Sequence, residues 1–120
     1  MIRGINVFIY PVKDLPQAKG LYRSVLGIEP YMEGPYYVGF RIGDQEIGLD
    51  PQGHRNGLRG PVSYWEVDDI RDSLQSFIAA GGQAQQEVRD IGGGKLIATV
   101  NDADGNTIGL MQSPPAHESS

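Results

Sequence analysis

The amino-acid sequence predicts an α+β fold built as two βαβββ modules, and three observations carry that prediction. The stretch "VFIYPVKDLPQAKGLYRSVLG" from Val7 returns 55 residues later as "VSYWEVDDIRDSLQSFIAAGG" from Val62. Each copy reads as a strand, an aspartate, a helix and a glycine, in that order. Each copy then closes on the same tripeptide in strand-like surroundings, Ile47-Gly48-Leu49 and Ile108-Gly109-Leu110.

The elements follow in chain order. Asp14 and Asp69 stand where a helix needs an N-cap, a side-chain oxygen that accepts from an otherwise unpaired backbone N–H. Behind Asp14, Ala18, Leu21, Tyr22, Val25 and Leu26 recur at helical spacing, and behind Asp69, Ile70, Leu74, Phe77 and Ile78 do so. Gly27 and Gly81-Gly82 supply the left-handed positions that end such helices. Gly20, inside the first helix, costs roughly 1 kcal/mol against Ala, which the apolar periodicity outweighs. "YYVGFRIGDQEIGLD" then reads as a hairpin turning at Gly43-Asp44, and "GKLIATVNDADGNTIGLMQ" as a second with a longer turn around Asp104-Gly105-Asn106. The repeat offset grows from 55 at the helices to 61 at the two Ile-Gly-Leu strands, so the second copy holds six extra residues after its helix. The organisation is a first module over 1–50, a glycine- and proline-rich connector over 51–61, a second module over 62–112 and a flexible tail over 113–120, together one compact domain.

Composition narrows the function. Net charge is -5 and the sequence pI about 4.8, with no cluster of Lys and Arg, which argues against a nucleic-acid partner. No apolar run reaches the length of a membrane span and no secretory leader precedes the first strand, so no membrane partner and a cytoplasmic protein are expected. With no cysteine, disulfides and thiolate-bound zinc are excluded.

The order and duplication of "VKDLPQAKGLYRSVLG", "WEVDDIRDSLQSFIAAGG" and "NDADGNTIGL" resemble the vicinal oxygen chelate superfamily over residues 5–112. That superfamily includes glyoxalase I, ring-cleaving dioxygenases, fosfomycin-resistance enzymes and bleomycin-resistance proteins. The resemblance implies the glyoxalase/bleomycin resistance/dioxygenase fold, in which two βαβββ modules form a curled mixed sheet around a concave cavity. It also implies where metal ligands stand in the family's metal enzymes: seven residues before each capping aspartate, usually His, and between the apolar residues of each last strand, usually Glu. Here those positions hold Val7, Val62, Gly48 and Gly109. None offers the oxygen or nitrogen donor that a divalent cation needs, so neither a metal nor another cofactor is expected.

Strand parity extends the face that these four positions share. Val7, Ile9 and Pro11 belong to it, with Val62, Tyr64 and Glu66, and with Glu46, Gly48 and Asp50. So do Tyr37 and Arg41, and Thr107, Gly109 and Met111. Trp65 falls on the opposite, core side, as do Tyr10, Val12, Val38, Phe40, Ile42 and Val67. Glu66 is a carboxylate on a mainly apolar wall, and such a group either anchors a cation, acts as a base, reaches water or pairs with Arg41. Glu46 and Asp50 are expected to be solvated. His54 lies in the connector, His117 in the tail, and "GGGK" at 92–95 precedes a strand rather than the helix that a phosphate loop requires.

The resulting expectation is a metal-independent small-molecule-binding protein of the bleomycin-resistance type. It would sequester an organic ligand in an apolar cavity, a cationic one being the charge class an acidic host suits. The ligand-binding residues would be Val7, Ile9, Tyr37, Arg41, Glu46, Gly48, Val62, Tyr64, Glu66, Gly109 and Met111. The alternative is an enzyme of lyase, isomerase or dioxygenase-like type, with Glu66 as base or with a displaced metal site on Glu46, Asp50 and Glu66. A vestigial cavity in an assembly module is a third reading. Ordinary metal-dependent glyoxalase I activity is not expected. The family resemblance implies a homodimer, with modules paired either within one chain or between two.

Overall fold

Both helices start where the aspartates place them. In the structure, a computed structural model that describes residues 2–114, α1 runs Leu15–Leu26 and α2 runs Ile70–Ala79. Asp14 Oδ1 accepts from Gln17 N at 3.0 Å and Asp69 Oδ1 from Asp72 N at 3.1 Å, so each carboxylate takes one orphan donor of the first turn. Gly27 ends α1 at φ 72°, a left-handed conformation that favours glycine.

Eight strands complete the element order. β1 (Ile2–Pro11) precedes α1, and β2 (Met32–Gly34), β3 (Tyr37–Ile42) and β4 (Gln45–Asp50) follow it. β5 (Val62–Val67) precedes α2, and β6 (Gln83–Asp90), β7 (Leu96–Asn101) and β8 (Thr107–Gln112) follow. Each half is βαβββ, as the repeat predicts. Two strands escape the hydrophobic pattern: β2 has three exposed residues, and β6, "QAQQEVRD", is polar and broken by register shifts.

The chain forms two compact units, one of residues 6–63 and one of residues 2–5 with those from Tyr64 onward. In the first, the strand order is β2-β3-β4-β1, with β4 parallel to β1 and antiparallel to β3. One face carries the core: Val38, Phe40 and Leu49 are buried against Tyr10, Val12, Leu15, Ala18, Tyr22, Leu26 and Ile47. Tyr10 and Tyr22 meet edge to face at 5.6 Å. Leu21 and Val25 of α1 stay exposed, because the helix turns only its 15-18-22-26 stripe to the sheet. Ile42 corrects an expectation: its parity is that of the core, yet it is 45% exposed, as the last residue of β3 where the strand runs out into the Gly43 turn. The connector returns close to β1, where a Cβ on Gly53 would stand 2.5 Å from Pro11 Cβ, and Leu58 is buried.

In the second unit the order is β5-β8-β7-β6, with β8 parallel to β5 and antiparallel to β7. Val67, Ile70, Ala98, Val100 and Leu110 form its core, joined by Trp65, Leu74, Phe77 and Ile108. Trp65 packs on Phe77 edge to face at 5.7 Å, the core role its parity predicts. The register locates the six extra residues. Gly39 faces Gly48 across β3 and β4, and Thr99 faces Gly109 across β7 and β8, so five come before β7 and one lies in the last hairpin. The expected tail begins at Ser113, and its residues 115–120, His117 among them, lie outside the described residues.

Candidate functional site

The face of each sheet turned away from its helix is the face that strand parity singled out. In the first unit it is built in cross-strand rows. Val7, Glu46 and Arg41 stand in one row, Ile9, Gly48 and Gly39 in the next, and Pro11 beside Asp50 in the third. The middle row is the informative one. Gly39 and Gly48 are direct neighbours, both buried, and leave a strip of bare backbone. The ring of Tyr37 lies on that strip: a Cβ at Gly48 would stand 2.6 Å from Tyr37 Cε1 and Cζ, and one at Gly39 3.0 Å from Tyr37 Cε2 and 2.9 Å from Tyr31 Cε1. Glycine is required there because an aromatic ring already fills the side-chain volume.

Both tyrosines reach the same carboxylate. Tyr31 Oη donates to Glu46 Oε1 at 2.7 Å, and Tyr37 Oη donates to Glu46 Oε2. The guanidinium of Arg41 sits 4.1 Å above the Tyr31 ring centroid, with its Nη2 3.9 Å from Glu46 Oε1. Burial, then the bond to Glu46, push the Tyr37 phenol far above the usual tyrosine range, and the same causes raise Tyr31. Glu46 therefore corrects the expectation of a solvated group. Its side chain is only 16% exposed and is held by two phenols, because Tyr31, which precedes β2, folds back over β3. Asp50 instead closes the turn after β4, accepting from Gln52 N at 2.8 Å.

The second unit repeats the theme with a different tyrosine. Tyr64 on β5 is the direct neighbour of Gly109 on β8, and a Cβ at Gly109 would stand 2.5–2.6 Å from three carbons of the Tyr64 ring. Tyr64 and Met111 are buried. Thr99 continues the row from Gly109 and is a buried polar residue satisfied by donating from Oγ1 to Gln85 Oε1 at 2.7 Å. Glu66 stands beside Met111, half-buried, and its side chain has no hydrogen-bond or ion-pair partner among the described residues. Within the first unit, Arg41 takes Glu46 as its carboxylate partner.

Three residues of these arrangements were not singled out by sequence reasoning. Gly39 shares the odd parity of Tyr37 and Arg41 and was legible from that alone. Tyr31 precedes the three-residue β2, and Thr99 lies on a strand whose face the sequence leaves open, so neither carried a usable signal. His54 is exposed in the turn over 51–57. Gly92, Gly93 and Gly94 have φ of 118°, 65° and 84° and turn β6 into β7, with Ile91 N donating to Lys95 O at 2.9 Å.

The metal positions of the family's enzymes can be tested against these residues, and they do not fit. Val7, Val62, Gly48 and Gly109 provide no donor, and at the two glycines a tyrosine ring occupies the space a carboxylate would enter. Among the described residues of each unit, no three His, Cys, Asp or Glu side chains come together as a metal-holding group.

The fold and this pair of faces define an α+β protein of two βαβββ modules. Residues 4–110 match the Glyoxalase/Bleomycin resistance protein/Dioxygenase superfamily, and the chain belongs to that family. Among solved structures it is similar to a superfamily member from Vibrio splendidus 12B01, at 18% identity and a TM-score of 0.70, covering 93% of this chain and 98% of that one. It is also similar to methylmalonyl-CoA epimerase from Mycobacterium tuberculosis, at 19% identity and a TM-score of 0.73, over 95% and 90% of the two chains. A Legionella pneumophila protein described as an NAD-dependent benzaldehyde dehydrogenase aligns at 14% identity and a TM-score of 0.74, over 91% and 99%. At these identities the likeness is one of fold. No functionally curated protein matches the chain. Among the described residues, no helix is long and apolar enough to cross a membrane.

Proposed function

We propose that this protein is a metal-independent small-molecule-binding member of its family, holding an organic ligand that carries a positive charge. The observation that supports this reading is the pair of tyrosine-covered glycines. At both last-strand positions where the family's metal enzymes carry a carboxylate, this chain has Gly48 and Gly109, each under a ring. A lost ligand alone would leave a gap, whereas here aromatic surface fills it, and such surface with a few convergent polar groups is what small-molecule sites use. The half-buried Glu66 and the net charge of -5 support a cationic ligand.

The test is a calorimetric titration of chelator-treated protein with manganese, nickel and zinc, followed by a screen of cationic aromatic compounds. No metal uptake, with a cationic compound that binds wild-type protein and loses affinity in Glu66→Gln, is the expected result. Stoichiometric metal binding would overturn the reading. The proposal also includes a cytoplasmic homodimer, and light scattering at the mass of one chain would remove the dimer from it. A second reading is favoured by the lack of any partner for the Glu66 side chain among the described residues: this carboxylate would act as the base in metal-free isomerase or lyase chemistry. Solvent deuterium entering a carbonyl compound in the presence of wild-type protein, and not of Glu66→Gln, would favour that alternative.

A further inference from the structure

We propose that Tyr31, Tyr37, Arg41 and Glu46 form a recognition site for a guanidinium or similarly planar, donor-rich cation, and that Arg41 occupies it as an internal stand-in for the ligand. This deepens the metal-free binding reading above and rests on it. The argument begins with acceptors. An ionised carboxylate has about four lone-pair sites, and among the described residues Glu46 has two phenolic donors, Tyr31 on Oε1 and Tyr37 on Oε2. The Tyr37 oxygen, having given its hydrogen to Glu46, presents only lone pairs to anything that approaches, and the Tyr31 oxygen presents its lone pairs toward the Arg41 guanidinium. The cluster is therefore rich in acceptors, and it is held rigid by two rings lying on the Gly39–Gly48 backbone.

The one cationic group of the cluster fits it loosely. Arg41 stacks on Tyr31 at 4.1 Å, good cation–π geometry, but its Nη2 is 3.9 Å from Glu46 Oε1, beyond hydrogen-bond reach. More than half of the Arg41 side chain is exposed, at 56%. An ion pair this long and this exposed does little for folding, whereas the two tyrosines and two glycines that immobilise Glu46 hold a specific geometry around one carboxylate. A planar cation from solution could take both the ring face and the free carboxylate lone pairs, which Arg41, tethered to its own strand opposite Glu46, does not. The tether gives Arg41 a high effective concentration, so it competes with any external cation.

The experiment titrates full-length wild-type protein, Arg41→Ala, Arg41→Met and the double variant Arg41→Ala/Glu46→Gln with methylguanidinium, using NMR shifts of the Gly39 and Gly48 amides. Methylurea serves as the neutral isostere, and circular dichroism verifies folding. Removing the internal competitor should raise methylguanidinium affinity roughly tenfold in both single variants. The gain should vanish in the double variant, and methylurea should show none. Equal affinity in wild type and both single variants would overturn the inference. So would a gain that survives Glu46→Gln, or one that methylurea shares. The divalent-metal titration reads the parent proposal separately: metal uptake overturns that reading, and failure of the guanidinium gain overturns this one.

Discussion

The interlock of Tyr37 with Gly48 makes a prediction with a change of sign. Glycine inside a strand is ordinarily a weak residue, costing about 0.5–1 kcal/mol relative to Ala, so Gly48→Ala ought to stabilise an isolated strand. In this structure the new Cβ would stand 2.6 Å from two ring carbons of Tyr37, closer than any real contact, and the ring must lift. Forcing a group into a packed site costs about 1–3 kcal/mol. The hydrogen bond from Tyr37 to Glu46, made to a charged acceptor, adds roughly 1.5–3 kcal/mol if lost. Allowing for partial relaxation and the strand gain, Gly48→Ala should destabilise the wild-type chain by about 2–4 kcal/mol. In a Tyr37→Ala background the same change meets no ring, and it should be neutral or stabilise by up to about 1 kcal/mol. Urea unfolding of the four proteins, followed by far-ultraviolet circular dichroism, gives the double-mutant cycle. If Gly48→Ala costs the same in both backgrounds, the ring does not dictate the glycine and the reasoning fails.

The second module should behave alike: Gly109→Ala is expected to destabilise in the presence of Tyr64 and not in a Tyr64→Ala background, by the same urea assay. Burial and the Glu46 bond keep the Tyr37 proton in the folded chain above the ordinary tyrosine value of 10.0, so the unfolded chain releases that proton first. Stability should therefore be unaffected by this group below pH 10 and decline as pH rises above it, with Tyr37→Phe flattening the decline in pH-dependent melting. On the acid side, the Asn106 side chain, with the backbone amides of its turn, holds the Asp102 carboxyl below its ordinary 3.8. The contribution of this turn is then present above pH 3.8 and lost as pH falls, and amide exchange at Gly105 and Asn106 should quicken in Asp102→Ala. Removing a helix cap, Asp69→Ala, should cost about 1 kcal/mol in urea unfolding.

Much of this protein was determined by the sequence alone, because local chemistry repeats with a period that can be counted. Asp14 and Asp69 followed by apolar residues at helical spacing set both helices, and Gly27 and Gly43 set the ends of elements, since backbone conformation at such positions depends on the residue itself. Alternation along β1, β3, β4 and β5 separated Tyr37, Arg41 and Glu46 from Phe40 and Leu49, and Tyr64 from Trp65, because successive strand residues point to opposite faces. The vacancy at Gly48 and Gly109 was legible from the family resemblance, which implies a carboxylate at those two positions in the metal enzymes.

What fills that vacancy was decided only by tertiary structure. A ring's position depends on register between strands, and the two equivalent glycines are covered from different places, Gly48 by Tyr37 on β3 and Gly109 by Tyr64 on β5. Nothing periodic marks Tyr31, which reaches Glu46 across 15 residues of chain and turns a carboxylate expected in water into a half-buried acceptor. Ile42 shows the same limit in reverse: its parity is that of the core, but burial also requires something packed above it, and Ile42, the last residue of β3, is 45% exposed. Parity is a property of one strand, whereas burial and hydrogen-bond partners belong to whatever the fold brings beside it.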